Sequence, residues 1–284
     1  MKKTLSAIIL FAAIGLVWGS FQDAQAAYFD KTISQGQVRV VYPGSPAATC
    51  DAILIGVGTS MSRSDYDNLA NAIVNYKNKY IVVIMDHNPG NMVKTDATKY
   101  RNCALAVKSN LVSWLSGTGC TGIAHWILGG HSAGGQAAQN AVSADPTLAD
   151  AVFSPDPYNC SGAGAVPLPA LYWGFNVTTC FVTKEDAAQA AYYGSTTWRA
   201  FYRVKKVYTV NPCGYAPKFF HCSFCDLHCP ACTNCMYTPD YFFTDIAKTV
   251  DKFITAAFYS TWSKANLTVS TTTPTELFVD SDTP

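Results

Sequence analysis

Apolar and polar positions along this chain switch between two periods. Gln37 to Tyr42 alternates and closes at Pro43-Gly44, which predicts an edge strand. Ala52 to Ile55 and Tyr80 to Met85 are short unbroken apolar runs, the pattern of strands buried on both faces. Between them, Leu69, Ala70, Ile73 and Val74 recur at helical spacing within Tyr66 to Tyr76. A second helix is predicted over Ala97 to Leu115, with Cys103, Leu105, Ala106, Val107, Leu111 and Trp114 as its apolar positions. Ile127 to Gly129, Ala151 to Phe153, Leu171 to Phe175 and Val204 to Val210 read as further strands. Tyr241 to Phe258 reads as a closing amphipathic helix. Strands alternating with helices predict an α/β fold, with a mostly parallel central sheet and helices on both faces. There is no internal repeat.

The two ends read differently from the middle. Met1-Lys2-Lys3, an apolar run from Leu5 to Trp18 and the small-x-small triplet Ala24-Gln25-Ala26 predict a secretory signal peptide over 1–26. The run is too short for a membrane span, so no membrane span is expected. The 258 residues that follow suit one domain, predicted over 27–269. The Thr- and Asp-rich tail, 270–284, reads as poorly ordered. A net charge of +1 carries no footprint for nucleic acid. Export makes the Asn-x-Ser/Thr triplets at Asn159, Asn176 and Asn266 candidate glycosylation sites in a eukaryotic host.

Candidate chemistry centres on Gly130-His131-Ser132-Ala133-Gly134, which fits G-x-S-x-G between an apolar strand and a helix. Such an elbow holds a serine oxygen out of the sheet. It also aims the next amide, here that of Ala133, at the same point, where an oxyanion forms. A glycine-rich turn with an incidental serine is the plain alternative. A base and an acid must follow the nucleophile, in the order Ser, acid, His. His87 and His125 precede Ser132, and the side chain of His131 is expected to point away from it. His221, after the last strand, is preferred over His228. The usual acid loop reads Gly174-Phe175-Asn176-Val177 and carries no carboxylate, and Glu185 and Asp186 sit at a helix start. One strand earlier, Asp156 stands between Pro155 and Pro157, so it is the candidate acid. A turn aspartate is its alternative reading. The second oxyanion donor is expected in Gly56-Val57-Gly58-Thr59-Ser60, at the Thr59 N–H. Met61, Phe153, Tyr158 and Trp173, with Tyr172, are candidates to line a substrate pocket, although aromatics near core strands are commonly core.

The elbow, the Asp156-Pro157 pair after the next strand and Phe220-His221 after the last one together resemble the chlorophyllase-type branch of the α/β-hydrolases. The dienelactone-hydrolase and polyester-hydrolase branches are similar through the elbow. The resemblance implies an α/β-hydrolase fold and a Ser132-Asp156-His221 triad that cleaves carboxylic esters without a cofactor. The chain departs from that branch at Ala133, where Arg is usual. It departs again at Val57-Gly58-Thr59, where His-Gly-aromatic is usual.

The 11 cysteines read first as disulfides, because an exported chain meets an oxidising compartment. The odd count leaves one thiol over. Cys222, Cys225, Cys229, Cys232 and Cys235 fall within 14 residues directly after His221, predicting a disulfide-rich histidine loop. Zinc or an iron–sulfur cluster is the competing reading of the C-x-x-C pairs, and no metal is expected. The expectation is therefore a secreted serine esterase acting on a small-molecule, lipid or polymer ester. Two alternatives stay open: a catalytically silent hydrolase-fold binding protein, and a cysteine-rich metal-binding or interaction module.

Overall fold

The computed structural model describes residues 26–86, 96–158, 165–175, 187–205, 208–211, 214–217, 221–224 and 238–280. The expected leader lies outside the described residues, apart from Ala26. Nine strands form one sheet: β1 (Ala27–Ile33), β2 (Gly36–Tyr42), β3 (Thr49–Gly56), β4 (Tyr80–Asp86), β5 (Gly122–Gly130), β6 (Ala151–Pro155), β7 (Ala170–Phe175), β8 (Arg199–Val204) and β11 (Thr275–Asp280). Their order is β1-β2-β4-β3-β5-β6-β7-β8-β11. The six strands from β4 to β8 in that order run parallel, and β1, β2 and β11 add antiparallel edges. This mixed, mostly parallel sheet flanked by helices resembles the α/β-hydrolase fold.

The period-two pattern of the central strands explains the layering. On β3, Ile53 and Ile55 enter one apolar layer, while Ala52 and Leu54 enter the other. The first layer is closed by α1 (Asp67–Tyr76) and α5 (Asp240–Ile254). The second is closed by α2 (Ala97–Trp114), α3 (Ala133–Ala144) and α4 (Ala187–Gly194). Strand β4 is buried along its whole length, as its unbroken apolar run requires. Helix α2 starts where the Asp96 carboxylate accepts the Lys99 N–H at 3.0 Å, an N-cap that fixes its first turn. No helix among the described residues is long and apolar enough to cross a membrane.

Three elements differ from the sequence reading. Strand β2 is not an edge, because β1 pairs outside it with Ala27 opposite Tyr42. The polar residues of β1 hid it, and they have partners: Arg39 pairs with Asp30 at 2.9 Å and with Asp67 at 2.6 Å, joining β1, β2 and α1. The run Val204 to Val210 is broken. Strand β8 ends at Val204, and β9 (Tyr208–Asn211) pairs instead with β10 (Gly214–Pro217) in a separate hairpin. The tail is not featureless either. Thr275–Asp280, within the stretch that reads as a poorly ordered tail, completes the sheet against β8. Its acids made it look soluble and unstructured, yet Glu276 pairs with Arg203 at 2.7 Å and Asp280 pairs with Arg199. Between them Phe278 stacks on Phe201, with ring centroids 5.6 Å apart. The Thr273 N–H donates to the buried Asp245 carboxylate at 2.7 Å, which ties the segment to α5.

Candidate active site

Strand order reverses between β3 and β5, and the loops leaving those two strands flank the crevice this creates. Ser132 sits there, between β5 and α3, with φ 54° and ψ −125°. That backbone geometry costs a non-glycine residue about 1–3 kcal/mol, so the surroundings must enforce it. They do so with main-chain bonds. The Ser132 N–H donates to the Asp156 carbonyl at 3.1 Å, and the Ser132 carbonyl accepts from Tyr158 at 2.9 Å and from Gln136 at 3.1 Å. The β5–β6 ladder therefore continues past both strand ends. The flanking glycines are needed for space. A Cβ on Gly134 would stand 2.2 Å from the Gly56 carbonyl oxygen, and one on Gly130 would stand 2.5 Å from the same atom.

Only three non-glycine residues among the described ones have positive φ: Ser60, Ser132 and Asp156. All three lie just beyond the carboxyl ends of adjacent strands, β3, β5 and β6. Backbone strain gathered at one place is a mark of a functional site.

The loop after β3 folds over the elbow. Its turn is closed by the Met61 N–H donating to the Gly58 carbonyl at 3.2 Å, with Ser60 at φ 60° in third position. The Val57 N–H donates to Met85, and the Gly58 N–H donates to the Tyr66 hydroxyl at 2.8 Å. The next amide, that of Thr59, has no acceptor among the described residues. The Ala133 N–H, at the first position of α3, has none either. Tyr66 also bonds His131 Nδ1 at 2.9 Å. No signal in the sequence marks this Tyr66–His131 pair, because its members stand 65 residues apart. His131 is buried beneath the loop. A Cβ on Gly58 would lie 3.3 Å from its Nδ1 and 3.2 Å from the Ser132 Cβ.

Asp156 is buried at the end of β6. Its N–H donates to the Trp173 carbonyl at 2.7 Å, while its own carbonyl receives Ser132. Its carboxylate lies beside Gly174, where a Cβ would come within 3.5 Å of Oδ1 and 2.4 Å of the Ala188 Cβ. The backbone of His221 opens a 3-10 turn, His221–Phe224. Three residues on, the Phe224 ring packs 5.6 Å from the His131 ring and 5.4 Å from Phe175. The turn that carries His221 is thereby anchored against the residue next to Ser132. The side chain of His221 lies outside the described residues, as do His87, His228, Glu185, Asp186 and the cysteines from Cys225 to Cys235.

Two of the candidate pocket residues are buried in the core. Phe153 and Trp173 are both 0 % exposed. Trp173 stacks on Tyr202 at 5.5 Å, and its indole N–H donates to Thr249 at 2.9 Å. Their positions on inward faces of parallel strands explain this. Tyr172 is equally enclosed and bonds Ser195 at 2.8 Å. Met61 is buried in the loop that follows β3, and Tyr158, whose N–H donates to the Ser132 carbonyl, is partly exposed. His125 is remote from all of this. It pairs at 2.8 Å with Asp51 near the opposite end of the sheet.

Ser132 on its strained turn, the unengaged Thr59 and Ala133 amides and the buried Asp156 thus stand beyond the carboxyl ends of three adjacent strands, β3, β5 and β6. The sheet topology resembles that of an α/β-hydrolase fold. No protein-family model matches the chain, and no curated protein shows detectable similarity to it.

Proposed function

We propose that the chain is a secreted serine hydrolase that cleaves carboxylic esters through a Ser132-His221-Asp156 triad. The observation that carries this reading is the convergence of Ser60, Ser132 and Asp156, each in a strained backbone state, at one edge of the sheet. In the proposed reaction, Ser132 Oγ attacks the ester carbonyl carbon while His221 takes its proton. The Thr59 and Ala133 amides hold the oxyanion. Collapse of the tetrahedral intermediate breaks the bond to the alcohol oxygen, which receives the proton from His221. Water, activated by the same imidazole, then hydrolyses the acyl-enzyme. Asp156 fixes the imidazole tautomer and stabilises its charged form.

Substrate choice within the chlorophyllase-like, lipase-like and polyester-hydrolase-like range is assigned to Met61 and Tyr158. Secretion rests on the leader sequence, and cross-linking of the histidine loop rests on the cysteines that follow His221. A chain-length series of p-nitrophenyl esters, run on the wild type and on Ser132→Ala, tests the activity. Turnover that vanishes in the variant supports the reading. Turnover that persists overturns it, and its absence from both favours a silent binding protein.

A further inference from the structure

Two cysteines meet at the far end of the sheet from the crevice, where β3 and β5 begin. Cys50 is the second residue of β3, and Cys120 lies two residues before β5. The strands pair in parallel there, Thr49 with Gly122 and Cys50 with Ile123. Just outside the ladder, the Thr121 N–H donates to the Ala48 carbonyl at 2.8 Å. Both cysteines are buried in the same apolar layer. The Cys50 thiol also donates to the Ala47 carbonyl at 3.1 Å, and the Cys120 thiol to the Gly122 carbonyl at 3.4 Å. Extending that register past Ala48 and Thr121 places Cys120 across from Ala47, the residue whose carbonyl takes the Cys50 thiol. A disulfide spans Cα separations of about 4.4–6.8 Å. The third described cysteine, Cys103, is buried on the inner face of α2. All three are thiols in this structure.

We propose that Cys50 and Cys120 are joined by a disulfide in the exported protein and that Cys103 is the one cysteine left as a thiol. The proposal rests on the export half of the functional reading and is independent of the esterase half. The count agrees with it. Of 11 cysteines, removing one pair and one thiol leaves eight, an even number.

The oxidant is a disulfide, either glutathione disulfide or a thiol–disulfide oxidoreductase. One cysteine thiolate attacks a sulfur of that disulfide, and the S–S bond breaks to expel a thiolate. The second cysteine thiolate then attacks the mixed disulfide and releases the other half of the oxidant. Two protons and two electrons leave the pair, and the oxidant ends as two thiols. Burial, then the nearby Cys120, then the charge of Asp51 hold the Cys50 thiol well above its ordinary range. Thiolate is therefore scarce once the fold is complete, and the bond forms before β3 and β5 close over the sulfurs. Burial, with Asp86 nearby, pushes the Cys103 thiol up to about 12, which keeps it inert. The bond would clamp the roots of the two strands whose far ends carry the oxyanion loop and Ser132.

The test uses full-length chain exported to an oxidising compartment and purified without reductant. It is alkylated with iodoacetamide in denaturant, digested with pepsin at acid pH to suppress exchange, and mapped by mass spectrometry. A second sample is made reduced and refolded with glutathione disulfide. The expected result in both is a linked peptide pair holding Cys50 and Cys120, with alkylation at Cys103. In Cys50→Ala, alkylation should appear at Cys120 while Cys103 is unchanged. Alkylated Cys50 and Cys120 in both samples, or a bridge from either to a different cysteine, overturns the pairing. A bridge at Cys103 overturns its assignment as the odd thiol. The pair present after refolding but missing from the exported sample also overturns the proposal, because the bond is then not one the exported protein carries.

Discussion

Replacing Tyr66 with Phe removes one oxygen from beneath the loop that follows β3. That oxygen accepts the Gly58 N–H at 2.8 Å and bonds His131 Nδ1 at 2.9 Å, and all three residues are buried. A buried N–H without an acceptor costs about 1–3 kcal/mol, and the lost bond to His131 about 0.5–1.5 kcal/mol. The aromatic ring keeps its packing, so no cavity is added. The predicted loss of stability is about 2–4 kcal/mol, measured by denaturant unfolding. The kinetic effect is separate. Gly58 immediately precedes Thr59, whose amide is the proposed oxyanion donor, and a shift of about 1 Å in a positioned catalytic group costs on the order of 100-fold. Hydrolysis of p-nitrophenyl butyrate should therefore show kcat lowered about 30–100-fold with KM changed less than about twofold, because the ground-state ester does not need the hole. Wild-type kcat together with a stability loss below about 0.5 kcal/mol would refute the reasoning.

Asp156→Asn should keep the fold, since Asn tolerates the left-handed backbone that φ 39° imposes. Its ester turnover should fall by about 10³–10⁴-fold, read from kcat. Gly134→Ala places a methyl 2.2 Å from the Gly56 carbonyl oxygen and 2.6 Å from that of Val57, both rigid backbone atoms. We expect at least about 3 kcal/mol of destabilisation in a denaturant melt, or no soluble protein. Arg39 holds the Asp30 carboxyl below its ordinary 3.8. A carboxylate lowered by folding contributes stability that is complete above about pH 4 and is lost as pH falls through the folded-state value. Asp30→Asn should therefore destabilise at neutral pH and flatten the acid limb of a stability-against-pH curve.

The parallel heart of the sheet was legible because strands buried on both faces are dominated by apolar runs, as in Ala52 to Ile55 of β3, Tyr80 to Met85 of β4, Ala151 to Phe153 of β6 and Leu171 to Phe175 of β7. The edges were not. Strands β1 and β11 carry charges that face arginines on their neighbours, and a charge with a partner looks in sequence like a charge in water. The elbow was readable because Gly130 and Gly134 have no room for a Cβ, a constraint that writes itself into five adjacent residues. Asp156 was a candidate by its position after a strand, although nothing in Pro-Asp-Pro announces the backbone bond from Ser132 to its carbonyl. Tyr66, His131 and Phe224 were missed as supports because their contacts join positions 65 and 93 residues apart. The sequence left Trp173 open between core and pocket, because an aromatic at a strand end serves either equally well.

The central claim is that the hydroxyl on the strained turn is a nucleophile. A crystal structure of the full chain after treatment with a fluorophosphonate tests it most directly. The account predicts phosphorus bonded to Ser132 Oγ and a phosphoryl oxygen about 3 Å from both the Thr59 and Ala133 nitrogens. It also predicts the His221 imidazole within hydrogen-bonding reach of Ser132 Oγ and of the Asp156 carboxylate. An unmodified Ser132, or an adduct whose phosphoryl oxygen meets neither amide, would contradict it.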